Sequence, residues 1–316
     1  MKADITVEGI EDAARAIDPV FLNSPQYVCD PLSERIGVTT VLKVETVNPI
    51  RSFKGRGAEH LLQRVGSSAG PMVCASAGNF GQGLAYACRK RRIPITVFAS
   101  HEASPLKLER MRTLGAKVEL EVGDFDRAKD AARRHAEAHG QLFIEDGLVG
   151  AIGEGAGTIA LELAQSPEKL DAVFVPLGNG SLVNGIGTWL RRASPTTRIV
   201  AVCAEGAPAM ALSWAAGKPV AAPAATIADG ISVRVPVPEA VAAMAGTVDE
   251  VMVVSDAEMR AAMRHVFTDA GIVAEPAAVA GVAAIAKRAS DLTGMRVATI
   301  LTGGNLTPQQ VRDWLG

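Results

Sequence analysis

The chain alternates between short apolar runs and stretches with helical periodicity, and this alternation restricts the possible folds more than any other feature. The apolar runs predict strands at 71–76, 95–100, 117–122, 141–145, 171–177, 198–204, 250–255 and 296–302. Strands that are apolar on both faces belong to parallel sheets covered by helices, because neither face meets water. The sequence therefore predicts an α/β protein with twisted, mostly parallel sheets flanked by helices.

The predicted elements fall into two groups, 71–149 and 171–316. The strands of the first group alternate with helices predicted at 80–92, 105–115 and 125–140. In the second group, Ser255 and Glu258 have the spacing of a capping box, which predicts a helix at 256–269. Because 316 residues are many for one compact domain, we expect two lobes.

Charge and composition narrow the class of ligand. A formal net charge of -2 offers no basic field for nucleic acid or anionic lipid, so a small soluble ligand fits better. The sequence contains neither a signal-peptide segment nor an apolar run long enough to cross a membrane. Its cysteines form no CxxC pair, so we expect reduced thiols and a cytoplasmic protein.

Glycine-rich turns at 76–83, 177–185 and 302–305 follow three of the predicted strands. The carboxyl ends of parallel strands lie at the sheet edge where α/β proteins bind ligands. The best anion cradle is Gly178-Asn179-Gly180-Ser181-Leu182, because glycines permit close approach and the helix beginning near Ser181 directs free amides at an anion. No P-loop or dinucleotide spacing occurs. An ordinary strand-to-helix turn remains the alternative.

Lys54 lies between a proline-containing turn and the start of an apparent helix, in the stretch 48–62. A cofactor with one phosphate and a lysine partner suggests pyridoxal phosphate, whose aldehyde forms a Schiff base with an amine. A lone lysine at such a position is more often a solvated charge. The three glycine-rich turns favour the cofactor interpretation.

Motifs along nearly the whole chain resemble one family. Residues 49–58 resemble PTGSFKxRGA, 76–83 resemble SxGNHxQG, and 178–182 resemble the family's glycine loop. Later segments match its DGI, EP and SGGN motifs, namely 229–233, Glu275-Pro276 and 302–305. The chain is thus similar to the fold-type II pyridoxal-phosphate enzymes of the tryptophan synthase beta superfamily, and within them to threonine/serine dehydratases.

The resemblance implies an architecture and a set of cofactor-binding residues. A large PLP-binding domain would comprise 1–70 plus 150–316, a small mobile domain would comprise 71–149, and the active site would lie in the cleft between them. Lys54 would hold the cofactor covalently and later move the α-proton. The other cofactor contacts would be Phe53 beside the ring, Asn79 at the ring hydroxyl, Thr302 at the pyridine nitrogen, and Gly178, Asn179, Gly180, Ser181 and Leu182 at the phosphate.

The resemblance also implies an activity, the β-elimination of a β-hydroxy amino acid such as threonine or serine to a 2-oxo acid and ammonia. The backbone amides of Ser76, Ala77, Gly78 and Asn79 would bind the substrate carboxylate. A hydroxyl such as that of Thr302 cannot protonate the ring nitrogen as a carboxylic acid can, which favours elimination over racemisation. Ala77 replaces the acid/base serine of the family's serine racemases, which disfavours racemisation further.

The chain departs from the family pattern at two further places. Phe80 replaces a histidine, and Ile50 with Arg51 replaces Thr-Gly. A cation at position 51 is able to clamp a second substrate carboxylate, which would favour a 3-hydroxyaspartate ammonia-lyase. The alternative is that Arg51 is a surface arginine.

Other hypotheses concern a cation, the reaction class and the assembly. Glu205 follows the strand at 198–204, as in metal-using relatives, so a divalent or monovalent cation at Glu205 is one hypothesis. A cysteine-synthase-like β-replacement enzyme and a non-enzymatic nucleotide-binding protein are alternatives to the lyase. Because relatives of this type are commonly dimers or tetramers, we expect a homodimer or homotetramer.

Overall fold

The computed structural model describes residues 4–66 and 70–316, which form two sheets. The strands are Gln26–Val28 (β1), Thr39–Val44 (β2), Met72–Ala75 (β3), Ile95–Ser100 (β4), Lys117–Glu121 (β5), Leu142–Ile144 (β6), Ala172–Pro176 (β7), Arg198–Ala204 (β8), Glu250–Val254 (β9) and Arg296–Leu301 (β10). The larger sheet has the order β1-β2-β10-β7-β8-β9, and the smaller one β5-β4-β3-β6. Within the described residues, only β1 and β2 pair antiparallel. The predicted fold class is confirmed.

Helices cover both sheets. They are Val7–Ala16 (α1), Asp30–Ile36 (α2), Lys54–Val65 (α3), Asn79–Arg91 (α4), Pro105–Thr113 (α5), Phe125–His139 (α6), Gly150–Leu163 (α7), Ser181–Ala193 (α8), Ala209–Ala216 (α9), Pro238–Thr247 (α10), Asp256–Ala270 (α11), Ala280–Lys287 (α12) and Pro308–Leu315 (α13). The predicted capping box of Ser255 and Glu258 is present at the start of α11. Among the described helices, none has the length and apolarity required to cross a bilayer.

The central strands are buried on both faces, as their apolar sequences predict. All residues of β7 are buried, and successive side chains face opposite cores. Phe174 packs in the core that contains Met263 of α11 and Ile285 of α12. Val173 packs in the core that contains Ile159 of α7 and Ile186 of α8.

The prediction did not include β1, β2, α1 or α2, which precede residue 48. Lys43 interrupts the apolar pattern of β2, yet its side chain is fully buried. Its ammonium group donates to the carbonyl oxygen of Ser24 at 2.8 Å and also to the Glu162 carboxylate. A buried ion pair therefore takes the place of the apolar residue that the pattern requires.

The glycine-rich segment 153–158 lies in α7, where its glycines allow α3, α7 and α8 to pack closely together. A Cβ atom at Gly155 would lie 2.5 Å from the carbonyl oxygen of Arg56 in α3. A Cβ atom at Gly185 in α8 would lie 2.2 Å from the carbonyl oxygen of Gly153. These contacts fix α3 and α8, the two helices that carry Lys54 and Ser181.

We expect Gly185→Ala to destabilise the protein by about 1–3 kcal/mol, because the added methyl group meets backbone atoms that cannot rotate away. Urea denaturation would measure the loss. Gly246→Ala is the matched control, since a Cβ atom there, also within a helix, has no neighbour within 4 Å. Alanine should be neutral or slightly stabilising at that position. Equal midpoints for the two variants would contradict the packing argument.

Candidate active site

A cavity of about 530 Å³ lies between the two sheets and is lined by segments that follow strands of both. Of the residues predicted for the site, Lys54, Ser76, Ala77, Gly78 and Asn179 line it directly. The turns after β3 and β7 are thus brought together at one cleft, as expected for the carboxyl ends of parallel strands.

Lys54 is the first residue of α3 and is held by the turn after β10. The amide of Phe53 donates to the carbonyl oxygen of Thr302 at 3.1 Å, and Ser52 pairs with Gly303 in an isolated bridge. The Lys54 ammonium nitrogen lies 4.7 Å from the ring centre of Phe53 and 5.7 Å from that of Phe80. With a side chain only 16% exposed, Lys54 is not a solvated surface charge.

Asp146, which follows β6, links Lys54 to the glycine-rich turn after β7. One carboxylate oxygen lies 2.6 Å from the Lys54 ammonium nitrogen, and the other accepts from the Ser181 hydroxyl at 2.7 Å. The Ser181 hydroxyl in turn accepts from the amide of Gly147 at 3.0 Å. Because two hydrogen bonds fix Ser181, the Asp146 carboxylate is held facing the lysine.

The predicted phosphate cradle forms a close turn into α8. Gly180 precedes the helix with a φ of 91°, a conformation that favours glycine. A Cβ atom at Gly178 would lie 2.8 Å from the carbonyl oxygen of Gly230, so the backbone there has no room for a side chain. The first amides of α8 have no acceptor within the helix and direct the positive end of its dipole toward the turn.

In the turn after β3, some backbone amides donate to acceptors within the protein, and the others are free to bind a ligand. The amide of Ser76 donates to the carbonyl oxygen of Phe98 at 2.9 Å, and that of Gly78 donates to the Ser76 hydroxyl at 3.1 Å. Asn79 begins α4. Of the four predicted residues, Ala77 and Asn79 are therefore the ones whose amides are left for a ligand.

Asn79 belongs to a buried polar network around Glu275. Its side-chain amide donates to Glu275 at 3.1 Å, and its oxygen accepts from Asn305 at 2.8 Å. Lys107, from α5, lies 3.2 Å from Glu275 and 2.6 Å from Asp229. Burial alone would lower the pKa of Lys107, but the charges of Glu275 and Asp229 outweigh it and raise the pKa. Lys107 therefore joins the smaller sheet to the larger one as a cation.

Arg51 and Glu205 are not among the residues that line the cavity of Lys54. Arg51 lines a second cavity, of about 510 Å³, together with Arg110, and is not among the residues that line the cavity of Lys54. Glu205 is exposed after β8, and its amide donates to the carbonyl oxygen of Val254 at 2.8 Å. In the described ranges, no three His, Cys, Asp or Glu side chains form a group able to hold a metal ion. The roles suggested for Arg51 and Glu205 stay predictions.

Sequence reasoning assigned no role to Asp146 or Lys107. Asp146 comes directly after the strand predicted at 141–145, so the rule that located the glycine-rich turns would also have located this carboxylate. Lys107 lies in the first turn of α5, a helix whose sequence mixes apolar and charged residues. No local pattern in that sequence distinguishes Lys107 from a surface lysine. Only the tertiary structure shows its burial.

Arg56 anchors the helix that carries Lys54. Its guanidinium is fully buried and donates to Glu45 at 2.8 and 2.9 Å and to Thr158 at 2.9 Å. It also donates to both carboxylate oxygens of Glu162. The pKa of Glu162 would be raised by burial, but hydrogen bonds and charge from Arg56, with the charge of Lys43, lower it instead. Four charges thus form one network beneath the site.

Acidification should weaken the fold through Glu162 and Glu154. Burial by itself would raise the pKa of both carboxyl groups. Arg56 nevertheless lowers the pKa of Glu162, and hydrogen bonds from His60 and Thr6 lower the pKa of Glu154. A carboxyl group whose pKa is lower in the folded state than in the unfolded state stabilises the fold. This stabilisation is complete above the ordinary pKa of 4.5 and is lost as the pH falls through the folded-state pKa. We expect the urea midpoint to fall as the pH decreases below this value.

The control for this pH dependence is Glu154→Gln, which keeps the size of the side chain and removes one titrating carboxyl. Its midpoint should depend less on pH than that of the unmodified protein, because one depressed pKa is gone. A midpoint that stays constant through the acid range in the unmodified protein would contradict the assignment.

Comparisons with known proteins show the family to which the chain belongs. A sequence model described as "Pyridoxal-phosphate dependent enzyme" matches residues 17–303. The L-threonine ammonia-lyase of Thermotoga maritima is 33% identical over 305 residues, which cover 96% of this chain and 76% of that protein. These matches favour the predicted enzyme over the non-enzymatic alternative.

Solved structures agree as well. The processed form of threonine deaminase isoform 2 from Solanum lycopersicum has 25% identity and a TM-score of 0.89, with 99% of this chain and 94% of that one covered. Maize serine racemase has 25% identity and a TM-score of 0.91, with 98% and 96% covered. The family resemblance of the motifs is thereby confirmed. With a family match over residues 17–303, the chain belongs to the pyridoxal-phosphate dependent enzymes.

Proposed function

We propose that this protein is an ammonia-lyase that uses pyridoxal phosphate to convert a β-hydroxy amino acid, such as threonine or serine, into a 2-oxo acid and ammonia. The observation that carries the proposal is the position of Lys54, at the start of a helix in a cleft, with its amine joined through Asp146 to the turn before α8. The threonine ammonia-lyase of Thermotoga maritima, similar over almost the whole chain, supports the reaction type.

The residues present fit pyridoxal phosphate. The turn of Gly178 to Leu182 and the first amides of α8 suit the phosphate, because glycines leave no side chain in the way. Phe53 and Phe80 lie near the Lys54 amine, where an aromatic ring would pack. Asn79 would meet the ring hydroxyl and Thr302 the pyridine nitrogen. When bound, the cofactor supplies an electron sink for the bond that breaks at Cα.

The protein residues would then bind the substrate and move its proton. The amides of Ala77 and Asn79, at the start of α4, suit the substrate carboxylate because they carry the positive end of a helix dipole. Lys54, which lies in the same cavity, would take the proton from Cα, and the hydroxyl group would leave from Cβ. The buried Lys107 and Glu275 network would hold Asn79 in place.

The alanine at position 77 favours elimination over racemisation. Racemisation requires a second proton donor on the face of the substrate opposite Lys54, and a methyl side chain cannot supply a proton. The similarity to maize serine racemase covers the fold, so the residue at position 77 is the local feature that argues for a lyase.

A substrate panel tests the proposal. Purified protein loaded with pyridoxal phosphate would be given L- and D-threonine, L- and D-serine, and 3-hydroxyaspartate, with 2-oxo acid, ammonia and the chirality of the residual substrate measured. We expect stoichiometric 2-oxo acid and ammonia from at least one hydroxy amino acid, with little racemisation. Racemisation without 2-oxo acid would reject the lyase.

We also propose that residues 71–149 form a small domain that closes over bound substrate. Side chains of this segment form ion pairs with the rest of the chain, Lys107 with Glu275 at 3.2 Å and Asp124 with Arg234 at 2.9 Å, and a closing movement would have to break and re-form them. Hydrogen exchange should slow in 71–149 when a substrate analogue binds. Exchange that does not change on binding would contradict closure.

A further inference from the structure

The second cavity, which Arg51 and Arg110 line, contains positive charge that the protein does not neutralise. In the part of the chain that the structure describes, neither guanidinium group forms an ion pair with an aspartate or a glutamate. The side-chain partner of Arg110 is the neutral amide oxygen of Asn305. Arginine is the side chain best suited to hold a carboxylate, because its planar group donates two parallel hydrogen bonds.

The backbone of Arg51 is held in a conformation that suits glycine better than arginine. Its φ is 51°, in the left-handed region, and the motif PTGSFKxRGA has glycine at this position. The amide of Arg51 donates to the carbonyl oxygen of Asn48 at 2.9 Å, and its carbonyl oxygen accepts from the amide of Gly304 at 3.0 Å. Because an arginine in this fixed turn costs backbone strain that glycine would avoid, we infer that its side chain has a function.

Arg110, on α5, is half-buried next to this first cation. Burial lowers its pKa, and the positive charge of Arg51 lowers it further, against an opposing effect of Glu275. Two cations that repel each other at a partly desolvated position are unfavourable. An anion bound by both guanidinium groups would relieve this repulsion.

The rest of the lining narrows the kind of anion. It is mainly aliphatic and includes Val47, Leu106, Ile272, Leu306 and Val311. No acidic side chain is among the described residues that line this cavity. An amino acid would therefore place its ammonium group near two cations without a carboxylate to receive it. The cavity favours a ligand with one carboxylate, an apolar body and no ammonium group.

We propose that this second cavity is a binding site for a short aliphatic carboxylate. Arg51 and Arg110 would donate to the carboxylate, and the aliphatic side chains would surround its tail. The site is separate from the cavity of Lys54, with which it shares no lining residue, and it goes beyond the proposed function.

Asn305 connects this site to the cofactor site. It is almost fully buried and accepts a hydrogen bond from the Arg110 guanidinium. Its side-chain amide donates to the side-chain oxygen of Asn79 at 2.8 Å and to the carbonyl oxygen of Ile50 at 2.9 Å. Asn79 is the residue assigned to the ring hydroxyl of the cofactor. A ligand that holds Arg110 in place would also hold Asn79, so we expect the carboxylate and the cofactor to strengthen each other's binding.

Calorimetry with two ligands of the same shape tests the site. The cofactor-loaded protein would be titrated with 3-methylbutanoate and with 3-methylbutanamide, of which only the first is charged. The acid should bind at least about 10-fold more tightly than the amide. Arg110→Gln should weaken binding of the acid about 10-fold or more, and Arg51→Gly about 3- to 10-fold because Arg51 is exposed. Any binding of L-valine, which adds an ammonium group to the same tail, should be unaffected by Arg110→Gln.

Two controls separate loss of the site from loss of the fold. Arg112→Gln removes an exposed arginine of the same helix that does not line the cavity, and it should change the affinity by less than about twofold. Arg51→Gly should not lower the urea midpoint, because glycine adopts the left-handed conformation without strain.

The connection to the cofactor site has its own measurement. Pyridoxal phosphate would be titrated by absorbance with and without saturating 3-methylbutanoate. Its dissociation constant should fall about fivefold or more when the acid is present, and Arg110→Gln should remove this effect. An unchanged dissociation constant, with the acid bound, would refute the coupling through Asn305.

Three results of the calorimetry would overturn the site itself. These are no binding of the acid, equal binding of the acid and the amide, and binding that Arg110→Gln leaves unchanged. The last result would place the ligand in the cavity of Lys54. Because calorimetry requires no turnover, each of these results is distinguishable from a failure of the proposed lyase activity.

Discussion

Lys54→Ala is expected to abolish turnover, with a fall in kcat of about 10³-fold or more, and to remove the visible absorption of the cofactor-loaded protein. Lys54 is assigned two roles, the covalent attachment of the cofactor and the movement of the α-proton, and proton transfer alone contributes about 10²- to 10⁴-fold. An absorption spectrum recorded after addition of pyridoxal phosphate, together with an assay of 2-oxo acid, measures both losses.

Lys54→Arg separates these roles from charge. Arginine keeps a cation opposite Asp146, but its guanidinium group does not lose its proton and cannot form the link. The arginine variant should therefore be as colourless and inactive as the alanine variant, while its stability stays closer to that of the unmodified protein. An alanine variant that remained coloured and active would place the chemistry on another lysine.

Arg56→Ala is expected to cost about 3–5 kcal/mol of unfolding free energy, because it leaves the buried carboxylates of Glu45 and Glu162 without their main partner. Burial would lower the pKa of Arg56, but Glu45 and Glu162 outweigh this and raise it, so the group is a permanent cation. Urea denaturation followed by circular dichroism measures the effect. The variant should also bind pyridoxal phosphate more weakly, since Arg56 lies only two residues after Lys54.

The matched control is Arg15→Ala, which removes another arginine–carboxylate pair. Arg15 and Asp12 are 68% and 58% exposed, so their interaction is screened by water and its loss should change stability little. Equal effects of the two substitutions would contradict the view that burial of the Arg56 network determines its contribution.

The sheets and the main cleft could be predicted from the sequence because their signals are local. Strands β4 and β8 have the predicted bounds, and the turns at 76–83 and 177–185 both reach the cavity. Strand β2 could not be predicted, because Lys43 is buried by a partner more than one hundred residues away, Glu162. Periodicity within a short window cannot detect such a partner.

The positions of the charged side chains in the site could not be predicted from local sequence patterns either. Arg51 attracted attention as a bulky cation next to Lys54 in sequence, yet it lines a different cavity. Lys107 and Asp146 stand far from Lys54 in sequence and meet the cleft only through the fold. The cytoplasmic location and the homodimer or homotetramer stay predictions, which fractionation and light scattering would test.

The attachment site of the cofactor tests the central claim most directly. The protein would be incubated with pyridoxal phosphate, reduced with borohydride, digested and analysed by mass spectrometry. We predict a single major modified residue, Lys54. Modification chiefly at Lys107 or Lys129, the other lysines that line the cavity, or no modification at all, would contradict the assignment.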